Sequence, residues 1–178
     1  MPRGSKVMRI IRMSLLALLT FPALARAEYT RVELKIFGMD CAICAHGVKV
    51  AMQKVDGVES VELSLERALA DVRLRPANRV PLDRLRQIVK GNGFEPKDAN
   101  VTAIGTVRES GGKLSFEVSG VGTVLVVSPD KTSPAVLKAL RSALETKVAI
   151  EVAGSVTKGR DGVETIAISS ARERVAEQ

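Results

Sequence analysis

Polar and apolar residues alternate with period two over residues 31–37, which puts Val32, Leu34 and Ile36 on one face and predicts a half-buried strand. Past a short loop the period changes. Val48, Met52 and Val55 recur at helical spacing, with Ala51 between them, as far as the Asp56-Gly57 turn. Alternation returns over residues 60–66 and 69–74, with Glu66-Arg67-Ala68 as the link of a hairpin. Pro81 then opens a second helix whose Leu82, Leu85, Ile88 and Val89 share one face, and Gly91 and Gly93 close it. A further extended segment starts near Phe94. Strand, helix, strand, strand, helix, strand is the order of the ferredoxin-like split motif, so an α+β unit is expected over residues 28–100.

From about residue 101 the sequence has neither cysteine nor histidine and is rich in β-branched residues. Alternation recurs over 101–107, 113–119 (Leu114, Phe116, Val118) and 148–156 (Val148, Ile150, Val152). Residues 123–127 read as a continuous apolar strand, and 164–169 set Ile166 and Ile168 on one face. Gly111-Gly112 and Gly159-Arg160-Asp161-Gly162 are turn signals. Between the third and fourth of these strands, Ser133-Pro134 predicts a helix with Ser133 as its N-cap and Val136, Leu137, Leu140 and Leu144 on one stripe. Three strands, a helix and two strands is the order of an OB-type barrel, expected over residues 101–178. No Gly/Ser-rich or Pro-rich linker precedes it, so residues 100–104 are expected to run straight from one unit into the next.

The first 27 residues follow a different logic. Arg3, Lys6, Arg9 and Arg12 form a basic start, residues 14–24 a short apolar run broken by Pro22, and Ala25-Arg26-Ala27 an A-x-A cleavage pattern. The run is well short of the ~20 residues that span a bilayer. A secretory signal is the reading, and it places the remaining chain in a periplasm or outside the cell. It also changes the charge argument. The chain carries 27 basic and 20 acidic residues, a net +7, but five of the basic ones lie in this segment, so 22 against 20 leaves +2 beyond it. The basic pI therefore gives no reason to invoke nucleic acid.

The chemistry concentrates in Gly38-Met39-Asp40-Cys41-Ala42-Ile43-Cys44, which holds the only two cysteines of the chain. At a helix N-terminus a Cys-x-x-Cys pair points both sulfurs at one place, and the free amides and positive dipole end favour thiolate, the form that binds metal. One histidine in the whole chain cannot complete a closed four-ligand zinc site of cysteine and histidine. An open, exchangeable site for one heavy-metal ion is expected. Two sulfurs alone suit Cu(I) or Hg(II), whereas Zn(II), Cd(II) or Pb(II) would want a further ligand, for which the Asp40 carboxylate is adjacent. Asp40 reads equally as a loop-capping carboxylate.

Taken with the Asp56-Gly57-Val58 turn and Gly91-Asn92-Gly93-Phe94, the motif Gly38-Met39-x-Cys41-x-x-Cys44 resembles the heavy-metal-associated domain. That module occurs in copper chaperones, in the N-terminal regions of metal-transporting P-type ATPases and in the periplasmic mercuric-ion binding protein. The resemblance implies that Cys41 and Cys44 bind the metal, that Met39 packs beneath the loop without ligating, and that Phe94 packs near the site. It further implies a membrane metal transporter or efflux component as partner. Where the common pattern has Thr before the first cysteine this chain has Asp40, which resembles the zinc, cadmium and lead exporting branch.

Two other readings attach to the same cysteines: a periplasmic thiol-disulfide redox pair, and a local staple without chemistry. His46, two positions past Cys44, is turned about 200° from the sulfurs on a helix and reads as a surface residue. Arg84, Arg86 and Lys90 read as the solvated face of the second helix. Stacking on nucleic acid needs exposed aromatics in a basic groove, and after residue 100 only Phe116 is aromatic, at an inward position. No nucleophile elbow, phosphate-binding glycine loop or catalytic histidine constellation is present, so a binding protein is expected rather than an enzyme.

Overall fold

A computed structural model describes residues 28–174. The expected signal at 1–27 lies outside the described residues. The first unit runs β1 (Glu28–Phe37), α1 (Ala42–Gln53), β2 (Val58–Ser64), β3 (Leu69–Leu74), α2 (Leu82–Gly91) and β4 (Glu95–Ser110). Its strands are all antiparallel in the order β2-β3-β1-β4, which makes it a ferredoxin-like βαββαβ unit.

The alternation of β1 decides the layering. Val32, Leu34 and Ile36 are buried, as are Val61 on β2 and Ala70, Val72 and Leu74 on β3. Onto these pack Ala45, Val48 and Met52 of α1 and Leu82, Leu85, Ile88 and Val89 of α2, so both helices cover one face of the sheet. The other face carries Arg31 and Asp71, paired across β1 and β3 at 2.7 and 2.9 Å. Small departures from the sequence reading sit at element ends. The second strand closes at Ser64, not residue 66, because the chain turns through Leu65–Ala68 with Ala68 at φ +47°, and Leu65 is left half exposed.

The second unit comprises β5 (Lys113–Val118), β6 (Thr123–Val127), a 3-10 turn (Pro129–Lys131), α3 (Pro134–Thr146), β7 (Ile150–Lys158) and β8 (Glu164–Glu173). Its pairings are β4–β5, β5–β6, β6–β8 in parallel, β8–β7 and β7–β4, so they return to the strand they start from. Phe116, Val118, Leu125, Val127, Ile150, Val152, Val156, Ile166 and Ile168 point into the enclosed space, with Leu140 and Ala143 of α3 against them. The apolar run at 123–127 is in fact alternating: Leu125 and Val127 are buried and Val124 is exposed. Val148, expected to face inward, precedes β7 and is partly exposed.

One strand serves both units. Residues 99–104 of β4 pair with β1 on one edge and with β7 on the other, and residues 106–110 turn to pair with β5. Gly105 stands where the partner changes from β1 to β5. A Cβ there would collide with Glu117 O and lie 2.6 Å from Phe116 Cζ. A second tie joins α2 to the closed unit: Arg86 pairs with Glu164 at the start of β8 and with Asp83, and Lys158 of β7 reaches Asp83 at 3.0 Å. Arg86 is buried, which corrects the reading of this residue as part of a solvated helix face. Its partner lies 78 positions away, and no local pattern announces it. Arg84 and Lys90 are exposed as expected.

Candidate metal centre

The loop that carries the cysteines is shaped by its first two residues. Gly38 turns the chain out of β1 at φ +84°, a conformation that L side chains avoid. Met39 then turns inward to 3% exposure and joins the core beneath the loop. It packs and leaves the sulfurs above it. Asp40 N donates to Gly38 O at 3.2 Å, which closes the turn, and the Asp40 side chain faces solvent.

Cys41 is the N-cap of α1, with extended φ −108° and ψ 121°. Its carbonyl accepts from Ala45 N at 2.9 Å, and its Sγ accepts from Cys44 N at 3.4 Å. A sulfur therefore occupies the place that Ser, Asp or Asn usually takes at a helix start. The capping role open to Asp40 is taken by Cys41. The first turn of α1 holds no acidic residue, so nothing within the helix offsets its positive end at the sulfurs.

Both cysteines are free thiols, Cys41 half-buried and Cys44 exposed. The pair titrates asymmetrically. Donation from the Cys44 thiol, and then from the Cys44 amide, holds Cys41 below the usual thiol range. Engagement of its proton by Cys41 pushes Cys44 up, and desolvation and the Cys41 charge act in the same direction. The two thiols therefore lose their protons in order, Cys41 before Cys44.

The remaining candidates divide clearly. His46 is exposed on α1. Among the described residues, no group of three or more His, Cys, Asp or Glu side chains is arranged to hold a metal ion, so neither His46 nor Asp40 completes a third position in this conformation. The loop thus presents two sulfurs with open flanks. Phe94 packs against the core next to the loop, within 4.0 Å of where a Gly38 side chain would begin.

Two residues of this neighbourhood were missed by the sequence reading. Phe37 is 66% exposed, with the Lys97 ammonium 5.3 Å above its ring, and Ile43, between the cysteines, is 86% exposed. The signal was available for Phe37. Arg31, Glu33 and Lys35 define the polar phase of β1, and Phe37 falls in that same phase, so the alternation itself sets this aromatic on the solvent side.

Residues 33–95 match the family model of the heavy-metal-associated domain. This part of the chain is a heavy-metal-associated domain. It covers 63 of 178 residues, ends within β4, and leaves the closed unit outside the match. No curated protein matches the chain. Solved structures similar to it include a copper binding domain from HMA7, a P-type ATPase, at 29% identity over 40% of this chain and 92% of that one, TM-score 0.35. The yeast copper transporter domain Ccc2a is 25% identical over 38% and 90%, TM-score 0.35. The N-terminal domain of a potential copper-translocating P-type ATPase from Bacillus subtilis is 24% identical over 38% and 84%, TM-score 0.36. All three likenesses cover a stretch comparable in length to the heavy-metal-associated domain.

Proposed function

We propose that this protein is a carrier of one soft metal ion, held between Cys41 and Cys44 of its heavy-metal-associated domain and handed to a partner by ligand exchange. The observation that carries the reading is the two-sulfur set itself. Cys41 Sγ sits at the N-cap, its pKa lowered by donation from Cys44, with Cys44 one turn on and no third ligand among the described residues. Two thiolates and open flanks suit an ion content with two-coordinate sulfur, Cu(I) or Hg(II), over Zn(II), Cd(II) or Pb(II). For those borderline ions Asp40 is the adjacent oxygen, and the loop would have to bring it round.

The open flanks also supply the transfer route. An incoming thiolate adds to the bound ion to give a three-coordinate intermediate, and one of the two original sulfurs then leaves. Cys44 is the exposed sulfur of the pair and Cys41 the half-buried one, so Cys44 leaves first and takes up a proton, while Cys41 holds the ion until a second partner thiolate replaces it. The partner we infer is a membrane metal transporter or efflux component, and the role is trafficking or detoxification. The basic start, apolar run and A-x-A pattern at the N-terminus support a periplasmic or secreted location. Among the described residues no helix is long and apolar enough to cross a membrane.

The second unit we read as an OB-type barrel. The reading rests on the closed ring of five pairings, the parallel β6–β8 contact and the placement of α3 between β6 and β7. We infer no nucleic-acid role for it and no enzymatic chemistry for the chain. The second reading of the cysteines, a thiol-disulfide redox pair, draws on the same titration asymmetry, since a depressed first thiol beside a raised second one also suits disulfide exchange.

Native mass spectrometry of the reduced protein, offered limiting Cu(I), Hg(II) and Zn(II) in competition, separates the two. The carrier reading expects one bound ion that disappears in Cys44→Ser. No stoichiometric ion under reducing conditions, together with catalytic reduction of a test disulfide, would turn the assignment to the redox pair.

A further inference from the structure

Outside the family match, a groove of about 400 Å³ opens between the β5 and β6 strands and the 3-10 turn and α3 helix that follow them. Its floor is apolar: Leu114, Val127 and Leu137 line it and pack against the core. Three cations, Lys113, Lys131 and Arg141, stand at its walls, and none of them forms an ion pair among the described residues. Leu137 and Arg141 are one helical turn apart on α3, so the helix presents an apolar and a cationic group to the groove side by side. The one acid in the lining is Asp130.

An apolar floor with an uncompensated positive wall is the complement of an amphiphilic anion. The volume falls in the ~300–1,000 Å³ range of small-ligand sites, whereas a protein partner usually meets a larger and flatter surface. We propose that this groove binds a small amphiphilic anion, an apolar body lying on Leu114, Val127 and Leu137 and an acidic head met by Lys113, Lys131 and Arg141. The head is a carboxylate or a phosphate ester, which share the recognition chemistry. Burial of the body supplies most of the affinity, and the cations reject uncharged analogues. Asp130 opposes the head, so its charge lowers the affinity. The site stands whether or not the cysteines carry metal.

Decanoate, decyl phosphate and decanol, each below its aggregation concentration, distinguish the possibilities when titrated into the reduced, ¹⁵N-labelled full chain. Saturable amide shifts at Leu114, Val127 and Leu137 are expected with the two anions and not with decanol. The stronger anion names the head group. Lys131→Ala and Arg141→Ala should each weaken binding roughly ten-fold, and Asp130→Asn should tighten it two- to five-fold, with folding monitored by the same spectra. Equal binding of decanol and decanoate, shifts centred elsewhere, or no saturable shift with either anion would overturn the proposal.

Discussion

Arg86 on α2 and Glu164 at the head of β8 form an ion pair with side chains only 8% and 13% exposed, and it fastens the metal-binding domain to the closed unit behind it. A buried pair adds little over an apolar contact, but losing one partner strands the other charge. Arg86→Ala is therefore expected to cost about 3–5 kcal/mol in urea unfolding, and Arg86→Met combined with Glu164→Leu to recover most of it. Because β4 belongs to both units, the loss should appear as one cooperative transition shifted to lower urea. Separate transitions for the two units would contradict the shared strand.

The cysteines make a prediction about pH. Cys41 is held below the usual thiol range by donation from Cys44, and Cys44 is raised by the same contact. At a pH below the ordinary thiol value Cys41 then carries the larger thiolate fraction, so iodoacetamide should label it first, with Cys44 following only as the pH rises. Cys44→Ala removes the thiol donor and leaves the amide. The pH midpoint of Cys41 alkylation should move upward in that variant, which peptide mapping after timed quenching would measure. An unchanged midpoint would mean that the helix N-terminus alone sets Cys41.

Asp40 separates the candidate ions. Its carboxylate does not join the sulfurs in the described arrangement. Asp40→Ala is accordingly expected to leave Cu(I) affinity within about two-fold and to weaken Zn(II) by ten-fold or more, since only the harder ion needs an oxygen ligand. Competition titration against a chromophoric chelator for each metal reads both values. A parallel loss for the two ions would instead assign Asp40 to holding the loop.

Much of this arrangement was legible because it is periodic. The alternation of Val32, Leu34 and Ile36 gave the buried face of β1, and the stripe of Leu82, Leu85, Ile88 and Val89 gave that of α2. The cysteines were placed by their spacing and by the change from strand period to helix period around them. What stayed hidden depends on partners distant in sequence. Arg86 looks like any helix-surface arginine until Glu164 is brought to it, and nothing local tells that β4 has both edges occupied. Phe37 was hidden differently, since an aromatic at a strand end reads as core unless the phase of the alternation is followed to its last residue.

Gly105 tests the close approach of β4 and β5 where one strand passes from one unit to the next. A Cβ at this position has no room, because Glu117 O and the Phe116 ring already occupy it, and backbone and a fully buried ring are slow to give way. Gly105→Ala is expected to destabilise by about 1–3 kcal/mol through overpacking. Gly91, at the end of α2, is the control: nothing lies within 4 Å of its would-be Cβ, so alanine there should be neutral or stabilising by up to about 1 kcal/mol. Urea midpoints of the two variants, measured with the cysteines reduced, make the comparison. If both behaved alike, the close approach of β4 and β5 at Gly105 would not be what requires a glycine there.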